Sequence, residues 1–109
     1  MPRITIRGLT VEQICEMSEP LTRKLADICQ CGEDNFTYEC VNFISIFEGK
    51  VTDSYPFIEV AWFERGTEVR NQFAQAVTES VRTFGYEEIE VAFTTYTQES
   101  YYINGQPQA

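Results

Sequence analysis

The strongest constraint on this chain is that it presents one supersecondary pattern twice. PRITIRGL (Pro2 to Leu9) and PFIEVAWF (Pro56 to Phe63) begin alike. In each, β-branched residues alternate, Ile4 with Ile6 and Ile58 with Val60, the signature of a strand with one face on a core. Each strand leads into a helical pattern. Met17, Leu21, Leu25 and Ile28 recur at spacings of four, four and three, and Phe73, Val77, Val81 and Phe84 repeat them 56 residues later. A further strand follows each helix: FTYECVNFISIF from Phe36 and EIEVAFTTY from Glu88. The chain therefore predicts a single α/β domain over residues 1–109, built from two tandem β-α-β units with pseudo-repeats at about 2–47 and 56–96.

Local signals refine the pattern. Thr10 is placed to cap the first helix with Gln13 completing a capping box, and Thr67 is the expected cap of the second. Gly32 and Gly85 are expected to stop the helices. Pro20 removes a backbone donor inside the first helix, which predicts a kink near Glu19 or a restart capped by Ser18. EGKVTDSYP reads as a connection between the halves. In the tail, SYYINGQPQA, the Asn104-Gly105 pair signals a turn after a short C-terminal strand.

Right-handed β-α-β crossovers make the strands of each half parallel, with the helix on one face. Two halves give a four-stranded mixed sheet with both helices on one side. The opposite face then carries Arg3, Thr5, Arg7, Glu39, Val41, Phe43, Phe57, Glu59, Phe63, Glu90 and Tyr96. An aromatic and ion-pairing face on so small a domain predicts an oligomer that covers it. On that face Arg3 and Arg7 can pair with Glu39, Glu59 and Glu90 and so specify the interface.

Composition narrows the ligands. Seventeen acidic residues against eight basic ones give a net charge of −9, which argues against binding nucleic acid or an anionic membrane surface. No segment is apolar enough to span a membrane and no leader pattern is visible, so the expected location is cytoplasmic. Four cysteines without a secretory signal are expected to be free thiols. Cys29 and Cys31 form C-Q-C, but zinc needs four ligands and the chain has no histidine, so no metal and no cofactor is expected and the cysteines read as small core residues. With histidine absent, proton chemistry must fall to a carboxylate, a tyrosine, a thiol or the amino terminus.

A proline directly after the initiator methionine, heading a strand of a doubled β-α-β chain, resembles the tautomerase superfamily, which includes macrophage migration inhibitory factor and 4-oxalocrotonate tautomerase. PFIEVAWFERGTE resembles the opening strand and loop of the short tautomerases, and YYING resembles their aromatic-x-Ile-Gly-Gly segment. YPFIEVAWF with YYINGQ looks most like an uncharacterised bacterial branch of unknown function. The resemblance implies a homotrimer with pockets at subunit interfaces and Pro2, freed by removal of Met1, as the catalytic base on a small enol or 2-oxo carboxylate. It implies that Arg65 anchors the substrate carboxylate and that Phe63 and Tyr101 shape the pocket. Glu90, like Glu39, stands where relatives carry a substrate-binding arginine or tyrosine, and Asn104 replaces a family glycine.

Two readings of Pro2 stand side by side. Proline suits the first position of any strand because it has no donor to offer the ladder, and Pro56 follows that preference without a free amine. On the free-amine reading the protein is an isomerase. On the other it is a non-catalytic trimer that binds a metabolite or a protein partner through the same interface.

Overall fold

The computed structural model describes residues 2–109. Met1, on whose removal the amine reading of Pro2 turns, lies outside them. Strand β1 (Arg3–Arg7) leads into helix α1 (Val11–Cys29), and β2 (Thr37–Cys40) returns parallel to β1. A hairpin of β3 (Ser45–Phe47) and β4 (Lys50–Thr52) precedes β5 (Phe57–Phe63). Helix α2 (Thr67–Arg82) and β6 (Glu90–Tyr96), parallel to β5, complete the second half. The tail folds into β7 (Tyr102–Ile103) and β8 (Gln106–Pro107). The main sheet runs β2-β1-β5-β6, the two halves meeting where β1 and β5 lie antiparallel.

The repeated apolar positions make the core. Ile4 and Ile6 of β1 and Ile58, Val60 and Trp62 of β5 point to the helix side, and all are fully buried. Against them pack Ile14, Met17, Leu21 and Leu25 of α1 and Phe73, Ala76, Val77 and Val81 of α2. Burying each large side chain of this set stabilises the fold by about 2 kcal/mol before the entropy of ordering it. Trp62 is the hub. Its ring meets Phe73 at 5.2 Å and Phe93 at 4.9 Å.

Four local expectations are corrected. The strand from Phe36 ends at Cys40, because the Val41 N–H to Ile6 carbonyl bond (2.9 Å) is the last that β1 can supply. The chain beyond it pairs with itself in the β3–β4 hairpin instead. The stretch read as a plain connection supplies the turn of that hairpin, with Glu48 and Gly49 both at positive φ (51° and 74°), as a primed two-residue turn requires. Pro20 neither ends nor restarts α1: it faces solvent beside exposed Glu16, so the carbonyl it deprives of a donor is not left in the core. The capping box at Thr10 and Gln13 is present, but at α2 the cap is Gly66 and Thr67 is already helical. The C-terminal strand is half of a hairpin turned at Asn104 (φ 52°) and Gly105 (φ 79°).

Candidate functional site at the head of the first strand

The antiparallel register between β1 and β5 gathers the site. Arg3 faces Ala61, and one step back along β1 is one step forward along β5, so Pro2 stands opposite Trp62. Phe63, Glu64 and Arg65 follow directly. Pro2 is fully buried, and its carbonyl accepts the Thr37 N–H at 3.3 Å. Pro56 repeats the arrangement, fully buried with its carbonyl accepting the Glu90 N–H at 3.1 Å. Each proline thus heads its half, where a residue without an N–H leaves no donor unpaired.

The loop after β5 is organised by Glu64. Its carboxylate accepts the backbone N–H groups of Arg65 and Gly66, both at 3.1 Å, and pairs with Arg70 at 2.8 Å. Backbone donors at the start of α2 and a cation one turn in therefore consume the nearest negative charge. Arg65 is held differently. It donates to the Phe63 carbonyl at 3.0 Å and lays its guanidinium over the Trp62 ring, 5.2 Å from the centroid. Arg65 is half-buried and, among the described residues, forms no ion pair. Among the described residues one of its five donors is engaged.

Three aromatic rings cluster about Phe63, which alternates with Trp62 along β5 and so lies on the other face of the sheet. Phe63 faces Tyr96 across the β5–β6 register, with ring centroids 5.9 Å apart. Tyr101 closes the triangle, 5.0 Å from Phe63 and 5.2 Å from Tyr96. The Tyr101 carbonyl accepts the Gln108 N–H at 3.0 Å, which folds the tail back over its own start.

The other expected residues lie elsewhere on the sheet. Arg3 pairs with Glu39 at 3.4 Å, and Arg7 with Glu59 at 3.9 Å, on the face away from the helices. Glu90 faces Phe57 at the opposite end of β5 and accepts from the Tyr55 hydroxyl at 3.2 Å. Its charge pushes the Tyr55 hydroxyl pKa up. Within one chain Glu90 is six strand residues from the Phe63 position, about 20 Å. A groove of about 570 Å³ lies at that far end, lined by Arg7, Phe43, Tyr55, Phe57 and Glu59 among others.

Sequence reasoning read Cys29 as a small core residue. The last residue of α1, it is half-buried near Arg65. Burial raises its thiol pKa, and the Arg65 charge opposes that rise. Its only signal in the sequence is C-Q-C where the helix returns to the head of β1.

The fold is that of the tautomerase superfamily. A solved fused 4-OT, described as an asymmetric trimer, superposes with a TM-score of 0.82 at 14% identity, covering 97% of this chain and 95% of that one. A macrophage migration inhibitory factor-like protein from Entamoeba histolytica gives 0.73 at 17% identity over 97% of each chain. At those identities the likeness concerns the fold alone. Residues 1–107 match the model of a domain of unknown function, DUF1904, and the chain belongs to that family. A DUF1904 domain from Sebaldella termitidis is 33% identical with a TM-score of 0.91, covering 98% of this chain and 99% of that one. No curated protein matches the chain. No helix among the described residues is long and apolar enough to cross a membrane.

Proposed function

We propose that the protein is a tautomerase that moves a proton on a small enol or 2-oxo carboxylate, working as a homotrimer. The observation that carries this reading is Arg65: a half-buried arginine without a carboxylate partner among the described residues, lying over Trp62, the residue that the β1–β5 register sets opposite Pro2. Arg65 forks onto the substrate carboxylate, and Phe63 and Tyr101 wall the carbon chain. With Met1 removed, Pro2 is a secondary amine whose burial disfavours the cation, so neutral base is present near pH 7. The amine takes the enol hydroxyl proton, the carbonyl forms as electron density moves to carbon, and the ammonium returns the proton to that carbon. The sheet face bearing Arg3, Arg7, Glu39 and Glu59 supports the trimer, since a second copy covers it.

Native and denaturing mass spectrometry on one preparation reads both the subunit count and the loss of Met1. Turnover is then followed by the decay of enol absorbance. Pro2→Ala is expected to slow turnover about 10²–10⁴-fold, and Arg65→Met to raise KM. A trimer that retains Met1, or a Pro2→Ala variant with unchanged turnover, would sink the catalytic reading and leave a trimer that binds without reacting.

A further inference from the structure

We propose that Cys29 and Cys31 form a dithiol–disulfide couple beside Arg65, oxidised by small-molecule disulfides such as that of glutathione. The helix end sets the geometry. Gln30, between the two cysteines, is a left-handed cap with φ 53° and ψ 52°. The Cα–Cα separation across one residue depends on that residue's φ and ψ alone, and these values mirror those of an α-helix. The flanking Cα atoms therefore stand about 5.4 Å apart, as they would in a helix, inside the roughly 4.4–6.8 Å range that disulfides use. The Cys31 N–H is tied to the Ala26 carbonyl at 3.1 Å, so the turn holding the pair is already built. The Cys31 thiol helps raise the Cys29 thiol pKa, and both residues are partly exposed.

The other cysteines are placed apart. Cys15 is fourteen residues back along α1, about 21 Å. Cys40 sits at the opposite end of β1, its thiol directed to the Leu9 carbonyl at 3.8 Å.

The exchange balances without a metal. Cys31, as thiolate, attacks one sulfur of the small disulfide, forming a mixed disulfide and releasing one small thiolate, which takes up the proton that Cys31 gave up. Cys29 then attacks the Cys31 sulfur, the second small thiolate leaves with the Cys29 proton, and a Cys29–Cys31 bond remains. Two electrons pass from the protein to the small disulfide. A ring this small strains the bond and keeps it reducible, the property of cycling rather than structural disulfides.

The test is intact mass of the folded protein after incubation with glutathione disulfide. Because Cys15 and Cys40 are exposed and can take adducts of their own, the parent is the Cys15→Ser/Cys40→Ser protein, which is expected to lose two hydrogen atoms and regain them on reduction. Cys29→Ser is expected to stop at one glutathione adduct on Cys31, and Cys31→Ser not to form the intramolecular bond. A parent protein that keeps the adduct, or that does not react, would overturn the proposal.

Discussion

Gly8 offers a measure of how tightly the two halves are joined. It follows β1 at φ 93°, and a Cβ built there would lie 2.6 Å from the Tyr55 carbonyl oxygen, 2.8 Å from its carbon and 2.9 Å from Pro56 Cα. All three are backbone atoms of the segment that opens β5, so the neighbours cannot swing aside as a side chain would. Gly85, just past α2, has nearly the same φ (94°) with nothing within 4 Å of a built Cβ. Alanine at either position meets similar backbone strain, about 1–3 kcal/mol, and only Gly8→Ala adds overpacking, a further 1–3 kcal/mol or so. Urea unfolding of both variants at one fixed protomer concentration, needed because assembly contributes to apparent stability, separates the terms. The Gly8 variant is expected to lose at least about 1 kcal/mol more than the Gly85 variant. Equal losses would refute the idea that backbone contact at Gly8 sets the spacing of the halves.

Two more outcomes follow from buried polar groups. Trp62 Nε1 is buried without a hydrogen-bond partner among the described residues, so Trp62→Phe removes an orphan donor worth about 1–3 kcal/mol while opening a small void. Its unfolding free energy should stay within about 1 kcal/mol of wild type, against the 3–5 kcal/mol or so lost by Trp62→Ala; equal losses would contradict this. Burial raises the Tyr38 hydroxyl pKa although Thr22, 2.8 Å away, partly opposes it. A group raised in the folded state contributes its full stability below the unfolded value, about 10, and loses it as pH climbs through the folded value. Denaturation midpoints should therefore fall more steeply above pH 10 or so in wild type than in Tyr38→Phe, and parallel profiles would count against it.

How much was legible follows from what each feature depends on. The doubled frame was readable because Ile4, Ile6, Ile58 and Val60 alternate while Met17, Leu21, Leu25 and their partners recur at helical spacing, and burial enforces both periods. The end of β2 was not. Val41 to Phe47 has strand composition throughout, and what stops the ladder at Cys40 is the length of β1, a non-local fact. Pro20 misled for a similar reason, since its cost depends on which side of the helix it faces. Pro2 and Arg65 are far apart along the chain, and only the antiparallel register of β1 on β5 sets Pro2 opposite Trp62, three residues before Arg65. C-Q-C marked Cys29 but not its neighbour, because a cysteine ending an amphipathic helix reads the same whether or not an arginine from a distant loop lies beside it.

The two ends of the sheet share a frame and differ in charge, and that difference bears on what each can hold. At the Pro56 end, Arg7 is paired with Glu59 and lies over Phe43 at 5.6 Å, while Glu90 stands against Tyr55. An anion arriving there meets a cation already matched, with a second carboxylate close by. At the Pro2 end the corresponding acid, Glu64, is drawn off by Arg70 and by the backbone donors that open α2. Arg65 is left on the indole face of Trp62 without an ion pair among the described residues, and from there a planar guanidinium can present its edge to a planar acceptor. On a chain carrying net charge −9, a carboxylate approaching from solution is repelled by most of the surface, which makes an unmatched arginine the more selective feature. The chain has two proline-headed strands, and on the proposed reading it is the absence of an ion pair for Arg65 among the described residues that suits one end, and not the other, to an anionic ligand.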